Sequence, residues 1–268
     1  MKAGHDVPVV VTRADKRRGR NAPPSPSPVK AAALELGLPV TTRVEDVLEA
    51  DVKLGVVVAF GRIIKGDVLE RVPMVNAHFS LLPRWRGAAP VERAILAGDK
   101  ETGVCLMAID AGLDTGPVYR CERIAIGDDE TADQLRGRLS GLAAQMLVEA
   151  LDQGLGEAVP QEGEATYAAK LEPAEFRLDW NRPAQDLNRL VRLGRAWTTW
   201  RGRRVLVLEA RVVPDPENGA PGNLHGSVVS TGAGGLQLVT VQPEGRATMP
   251  AGDWLRGARS APDEVLGA

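Results

Sequence analysis

Cysteine and aromatic residues are scarce in this sequence, and no long apolar run occurs. The chain contains two cysteines, and aromatic residues make up 4% of its length. Two cysteines are too few for a disulfide framework, and no metal-ligand cluster lies beside them. We interpret Cys105, which lies in an apolar segment, as a core-filling thiol. No apolar stretch approaches the roughly 18 residues of a membrane span, and the first apolar run, residues 7–11, is too short for a signal peptide. We therefore expect a cytoplasmic protein without a metal.

Charge is nearly balanced overall but unevenly distributed. The net charge is −2, so total charge gives no indication of nucleic-acid binding. Residues 189–211, however, hold seven arginines and the single acid Glu209. With 44% apolar residues over 268 positions, the chain can fill the core of one large or two ordinary domains.

The most informative stretch runs from Asn76 to Pro90 and reads NAHFSLLPRWRGAAP. The apolar residues before it predict a short buried strand that ends in Asn-x-His. Residues two apart point to the same side of a strand, so Asn76 and His78 can converge on one group. In an open α/β sheet, ligands bind at such strand ends. An amide donor beside an imidazole suits a carbonyl oxygen that becomes an oxyanion.

A carboxylate that could complete this pair follows the next predicted strand, Thr102 to Ile109. Asp114 lies in the glycine-bracketed turn DAGLDTG. An aspartate in such a turn usually only caps it, and a strand-end Asn or His is usually a satisfied hydrogen-bonding residue. The combination favours catalysis, because the chain has only three histidines and this one lies in a dense string of unusual residues.

The pattern N-x-H-x-S-L-L-P-x-x-R-G-x-x-P, followed by D-x-G-x-D-T-G, resembles the formyltransferase superfamily that uses 10-formyltetrahydrofolate. SLLPRWRGAAP, together with DAGLDTG and PSPVK, is most similar to the methionyl-tRNA formyltransferase family, and the similarity covers nearly all of the chain. Phe79 departs from the Gly or Pro of many relatives. Leu193-Gly194-Arg195 replaces a proline-rich turn.

The resemblance implies an α/β fold with two domains. A Rossmann-like domain with a parallel sheet is expected over residues 1–155, a linker over 156–172, and an OB-like β-barrel that binds tRNA over 173–268. Short strands separated by Gly/Pro turns near the C-terminus also favour a small barrel. The apolar run Lys53 to Ala59 predicts a strand buried on both faces.

The beginning of the chain predicts a missing element. Gly4-His5-Asp6 is typical of the end of a helix, and the buried strand of residues 7–12 follows at once. The resemblance implies that a Gly-Thr-Pro-x-Phe strand, loop and helix should come before it. We expect Met1 to be an internal or misassigned start, or to mark a truncated gene. We also expect a vacant sheet position between residues 7–12 and Met74–His78, and a chain that is poorly soluble or inactive.

The resemblance also implies the site residues. The expected catalytic residues are Asn76, His78 and Asp114. The expected folate-binding residues are Arg62, Ile63, Ile64, Ser80, Leu81, Leu82, Pro83 and Asp110. The expected tRNA-binding residues are Lys16, Arg17, Arg18, Arg20, Arg195, Arg201, Arg203 and Arg204.

The implied reaction is transfer of the formyl group of 10-formyltetrahydrofolate to the amino group of initiator methionyl-tRNA, for translation initiation. The expected partners are this tRNA and the folate, with no membrane, and the protein is expected to be a monomer. Which of His78 and Asp114 moves which proton stays open. So do two alternatives: a transferase acting on a nucleotide-linked amino sugar or glycinamide ribonucleotide, and an inactive tRNA-binding protein. The predicted barrel, the string WRGAAP and the retained trio argue against them.

Overall fold

The computed structural model describes residues 3–17, 22–62, 64–214, 219–261 and 264–267. The chain divides into two compact units. Unit 1 comprises residues 1–86, 103–122 and 141–166, and unit 2 comprises residues 87–102, 123–140 and 167–268. In the part of the chain that is described, no helix is long and apolar enough to cross a membrane.

The first half of the chain alternates short strands and helices. In chain order these elements are β1 (Val10–Val11), β2 (Lys16–Arg17), β3 (Pro24–Ser25), α1 (Pro28–Glu35), β4 (Val40–Thr41), a 3₁₀ helix (Val44–Leu48), β5 (Gly55–Val57), α2 (Gly66–Leu69), β6 (Met74–His78), α3 (Pro90–Ala97), β7 (Glu101–Ala108), β8 (Val118–Ala125) and α4 (Ala132–Gln153).

The rest of the chain is richer in antiparallel strands. Its elements are a 3₁₀ helix (Pro173–Phe176), α5 (Ala184–Val191), β9 (Trp197–Trp200), β10 (Arg203–Val213), β11 (Leu224–His225), β12 (Val228–Ser230), β13 (Gly235–Pro243), β14 (Met249–Pro250) and α6 (Ala251–Ala258).

The sheet that carries the Asn-x-His pair has the order β5-β6-β7-β8. Strand β5 runs parallel to β6, whereas β7 runs antiparallel to it, with His78 opposite Cys105. The prediction of a parallel sheet therefore holds for β5 and β6 but not for β7, and the sheet is mixed. Apolar patterning locates a strand but does not set its direction, which depends on the connection. Here Gly98, in the left-handed conformation, ends α3 just before β7 returns.

Two further expectations about this sheet were wrong. Strand β5 is not buried on both faces, because Val56 and Val58 are 45% and 46% exposed. Among the described strands β5 pairs only with β6, so it lies at an edge of the sheet. The expected vacancy does not lie beside β6, since β5 and β7 flank that strand. Strand β1 instead pairs with β4 in a separate two-stranded parallel sheet.

The two cysteines are joined, so Cys105 is buried in the core as predicted, but as half of a disulfide and not as a thiol. A disulfide links Cys105 on β7 to Cys121 on β8, with Cα atoms 4.1 Å apart. Cys105 is fully buried and Cys121 is exposed. Neighbouring strands place the two residues side by side, although they are far apart in sequence. The pairing is therefore a property of the sheet, and spacing along the chain gave no indication of it.

Unit 2 is built on an antiparallel sheet of order β11-β12-β13-β10-β9, with β14 also paired to β13. Leu187 and Leu190 on α5 are buried, and α5 packs against β10 and β13. This confirms a β-rich C-terminal region. Closure of the sheet into an OB-like barrel stays a prediction.

Candidate active site

Strand β6 places Asn76 and His78 on one face at its C-terminal end. Its flanking residues Met74, Val75 and Ala77 are buried, which fixes the strand within the sheet. Asn76 is partly exposed, whereas His78 is 6% exposed.

The structure brings Asp114 to His78, as the sequence predicted for these two side chains. The Nδ1 atom of His78 lies 3.6 Å from Oδ2 of Asp114. On the other side of the ring, Nε2 lies 2.8 Å from the backbone oxygen of Trp85. Both neighbours are hydrogen-bond acceptors. A ring that carries protons on both nitrogens has a donor for each of them.

The loop that presents Asp114 depends on its glycines. Asp114 has φ of 50°, in the left-handed region that few non-glycine residues adopt. A Cβ atom on Gly116 would lie 1.9 Å from the backbone oxygen of Ala108, so this position admits only glycine. Asp110 accepts hydrogen bonds from the Gly112 amide at 3.0 Å and from Oγ1 of Thr115 at 2.7 Å. The Asp110 carboxylate therefore organises the loop, and its contact with folate stays a prediction.

The segment after β6 folds back towards His78. Ser80 is fully buried and donates to the backbone oxygen of Arg84 at 2.5 Å. The Leu82–Pro83 peptide bond is cis, and Leu81, Leu82 and Pro83 are half-buried. This folding brings the Trp85 carbonyl to His78. Ser80 thus has a structural role, and folate binding by these four residues stays a prediction.

Two residues that sequence analysis did not identify hold these loops. Gln161 accepts from Nε and Nη2 of Arg86 at 3.0 and 2.7 Å, and donates to the backbone oxygens of Asp114 and Gly116 at 2.9 and 2.8 Å. Thr166 accepts from the Trp85 amide at 2.9 Å through Oγ1. Both were placed in the predicted linker. No sequence signal identifies them, because their contacts are formed with residues 45 or more positions away.

Comparison with known proteins identifies the family. Residues 2–151 match the family model "Formyl transferase", and residues 170–259 match "Formyl transferase, C-terminal domain". The chain belongs to the formyl transferase family. It is 42% identical to methionyl-tRNA formyltransferase from Cereibacter sphaeroides over 96% of this chain and 90% of that protein. It is 43% identical to methionyl-tRNA formyltransferase from Thermus thermophilus over 100% of this chain and 93% of that protein.

A solved structure supports the fold of this formyl transferase. HypX from Aquifex aeolicus, in complex with tetrahydrofolic acid, aligns with a TM-score of 0.64 at 19% identity. The alignment covers 84% of this chain and 43% of HypX. At this identity the likeness concerns the fold alone.

The loop after β5 contains residues that were expected to bind folate. It lies next to β6, because β5 pairs with that strand. Val57 pairs with Asn76, so this loop leaves the sheet at the end where Asn76 lies. The Arg62 guanidinium donates to the Thr42 backbone oxygen at 3.0 Å and lies 5.3 Å from the Phe60 ring centroid. Ile64 packs against a buried valine cluster. Ile63 lies outside the described residues.

The arginines predicted to bind tRNA fall into two groups in unit 2. Arg195 stacks on Phe176 at 4.3 Å and Arg204 on Trp197 at 4.5 Å, each measured from the guanidinium carbon to the ring centroid. Both arginines line a cavity of about 470 Å³.

The other two arginines, Arg201 and Arg203, form hydrogen bonds within unit 2. Arg201 donates to Glu264 and to two backbone oxygens near the C-terminus. Arg203 donates to the backbone oxygen of Glu244 at 3.2 Å. The hydrogen bond from Arg201 lowers the pKa of the Glu264 carboxyl below its ordinary value. These contacts favour a structural role for Arg201.

In unit 1, Lys16 and Arg17 are exposed on β2. Arg18 and Arg20 lie outside the described residues. In the described ranges, no group of three or more His, Cys, Asp or Glu side chains could hold a metal ion.

Proposed function

We propose that this protein transfers the formyl group of 10-formyltetrahydrofolate to the amino group of initiator methionyl-tRNA. The proposal is carried by identity of 42–43% to methionyl-tRNA formyltransferases over 96–100% of the chain. The position of His78 beside Asp114, on the strand that carries Asn76, supports the chemistry.

The reaction replaces one carbon–nitrogen bond by another. The amine attacks the formyl carbon, the carbonyl oxygen becomes an oxyanion, and the bond from the formyl carbon to the folate nitrogen breaks. One proton leaves the amine and one reaches the folate nitrogen. Asn76 donates to the oxyanion from its amide. Loss of a single donor of this kind typically costs ~10²–10³-fold in rate.

His78 and Asp114 are the proton carriers of this proposal. The 3.6 Å between Nδ1 and Oδ2 is longer than a normal hydrogen bond. The Nδ1 proton can therefore be given to a substrate atom, while Nε2 stays fixed by the Trp85 carbonyl. The Asp114 carboxylate, 18% exposed, can accept a proton from the incoming ammonium. General acid–base catalysis of this kind contributes ~10²–10⁴-fold.

The folate is proposed to lie against the loop after β5. A flat heteroaromatic ring needs an apolar slot with a few fixed polar groups. Phe60 and Ile64 pack with the buried residues Val44, Val47 and Val68, and supply the apolar side. Backbone groups of the loop would supply the polar edge. The formyl group would then point towards Asn76 and His78.

The tRNA is proposed to contact Lys16 and Arg17 in unit 1 and Arg195 and Arg204 in unit 2. Exposed cations supply salt-dependent affinity for phosphates. Arginines stacked on aromatic rings beside an open cavity also offer surfaces on which an unpaired base can stack. In unit 2, Arg195 stacks on Phe176 and Arg204 stacks on Trp197, and both arginines line the cavity.

The test is a direct comparison of acceptors. Purified protein and 10-formyltetrahydrofolate are incubated with initiator methionyl-tRNA, with a nucleotide-linked amino sugar, or with glycinamide ribonucleotide, and kcat/KM is measured for each. We expect transfer to methionyl-tRNA, with kcat reduced at least ~10²-fold when His78 is replaced by alanine. A higher kcat/KM for either small acceptor would overturn the proposal. So would binding of tRNA without transfer to any acceptor.

A further inference from the structure

Residues 159–166 form a segment that touches both loops around His78, which no motif of the sequence suggested. At one end, Val159 pairs with Val118 through two backbone hydrogen bonds of 2.9 and 2.8 Å. At the other end, the Thr166 amide donates to the Pro83 backbone oxygen at 3.3 Å. The segment is therefore fixed to the chain after Asp114 and to the chain after His78.

Gln161 uses its whole side-chain amide to connect the Asp114 loop to Arg86. Its oxygen accepts two hydrogen bonds from Arg86, and its nitrogen donates two, to the backbone oxygens of Asp114 and Gly116. An amide nitrogen has two protons to donate and its oxygen has two lone pairs. Every hydrogen-bonding capacity of this side chain is therefore used: the nitrogen binds the Asp114 loop, and the oxygen binds Arg86 in the segment after His78.

Thr166 holds the Trp85 peptide, which contacts the other side of the His78 ring. Its Oγ1 accepts from the Trp85 amide at 2.9 Å, and its backbone oxygen accepts from the Arg86 amide at 2.9 Å. The Trp85 carbonyl in turn lies 2.8 Å from His78 Nε2. Thr166 thus fixes the peptide whose oxygen orients the imidazole.

We propose that Gln161 and Thr166 are positioning residues, which hold the Asp114 carboxylate and the Trp85 carbonyl on opposite sides of the His78 ring. They act through those groups and do not touch the reacting atoms. The proposal rests on the proposed function for the reaction that it serves, although the anchoring itself can be measured without that reaction.

Gln161→Glu separates the two halves of the Gln161 contact. A carboxylate still accepts from Arg86, but it cannot donate and it faces the two carbonyl oxygens of Asp114 and Gly116. We expect kcat to fall about 10- to 100-fold, because small misplacements of catalytic groups have effects of this size. KM for folate and for tRNA should change less than about twofold, since no contact with either substrate is altered. Gln153→Glu, on the exposed end of α4, is the matched control.

Thr166→Val keeps the shape of the side chain and removes the acceptor for the Trp85 amide. We expect a smaller loss of kcat, about three- to tenfold, because the backbone contact of Thr166 with Arg86 remains. Thr166→Ser, which keeps the hydroxyl, should restore most of the rate. Thr240→Val is the control, because it also removes one threonine hydrogen bond, to Glu209.

Two measurements distinguish positioning from general stability. Hydrogen–deuterium exchange should rise in residues 110–118 for Gln161→Glu and in residues 79–87 for Thr166→Val, with thermal midpoints equal to those of the controls. In an Asp114→Ala background, Gln161→Glu should cause no further loss of rate, since it acts through the Asp114 carboxylate. Gln161→Leu replaces Gln161→Glu if the charged variant does not fold.

Each outcome decides the proposal. Unchanged exchange in the two loops would overturn it, and so would faster exchange with unchanged kcat, or an additive loss of rate for Gln161→Glu in the Asp114→Ala background. If the wild-type protein transfers no formyl group to methionyl-tRNA, the proposed function fails, and the exchange experiment still decides whether Gln161 and Thr166 hold the loops.

Discussion

The surroundings of His78 and the arginine-rich face of unit 2 are organised in different ways. Around His78, the ring contacts the Trp85 backbone oxygen, Gln161 holds the Asp114 backbone, and Gly116 leaves no room for a side chain. On the face of unit 2, Arg195 and Arg204 lie over aromatic rings, next to an open cavity. The first arrangement fixes atoms to fractions of an ångström, as bond-making requires. The second presents charge over an area, as suits phosphates.

The largest expected effects come from replacing the three proposed catalytic residues. Asn76→Ala, His78→Ala and Asp114→Ala should each reduce kcat by at least ~10²-fold, because each removes a donor or a proton carrier. Folate binding, measured by calorimetry, should persist, since none of the three forms the proposed apolar slot. A variant with near-wild-type turnover would remove that residue from the mechanism.

The dependence of the Asp114 loop on glycine gives a second test. Gly116→Ala would place a methyl group 1.9 Å from the Ala108 backbone oxygen, so the loop must move. We expect a loss of kcat of about tenfold or more, comparable to other displacements of a catalytic group. Gly141→Ala, on α4, is the control, because a Cβ atom there meets nothing within 4 Å. Equal activities of the two variants would show that the loop tolerates displacement.

Motif and periodicity predicted the elements around the site, but not how they pair. Strand β6 and Asp114 lie where the sequence placed them, because each is determined by local residues. The direction of β7, the exposure of β5 and the Cys105–Cys121 bond depend on which strands become neighbours. Gln161 and Thr166 were not identified for the same reason, because each contacts residues that are distant in the sequence. Strand β9 and helix α6 were also not predicted.

The arginine face is tested by comparing exposed and engaged arginines. Charge reversal at Arg195 and Arg204 should raise KM for tRNA several-fold and reduce the salt dependence of tRNA binding, because fewer phosphates are neutralised. Folate affinity should not change. Reversal at Lys16 and Arg17 tests the basic hairpin of unit 1 in the same way. An unchanged salt slope in both variants would mean that these residues are ordinary solvated surface.

The smallest expected effect is on the pH dependence of stability and concerns Arg201. This test also separates Arg201 from Arg195 and Arg204, which are proposed to contact tRNA. Its hydrogen bond lowers the pKa of Glu264 in the folded protein below the ordinary value of 4.5. A carboxyl whose pKa is lower when folded contributes stability that is fully present above the unfolded value and is lost as the pH falls through the folded value. Thermal unfolding from pH 7 to pH 3 should therefore show a loss below about pH 4.5 that is smaller in Arg201→Gln than in the wild type. The variant should bind tRNA as the wild type does, because the Arg201 guanidinium of the wild type is already engaged with Glu264 and the C-terminal backbone. Weakened tRNA binding with an unaltered pH profile would place Arg201 with Arg195 and Arg204 instead.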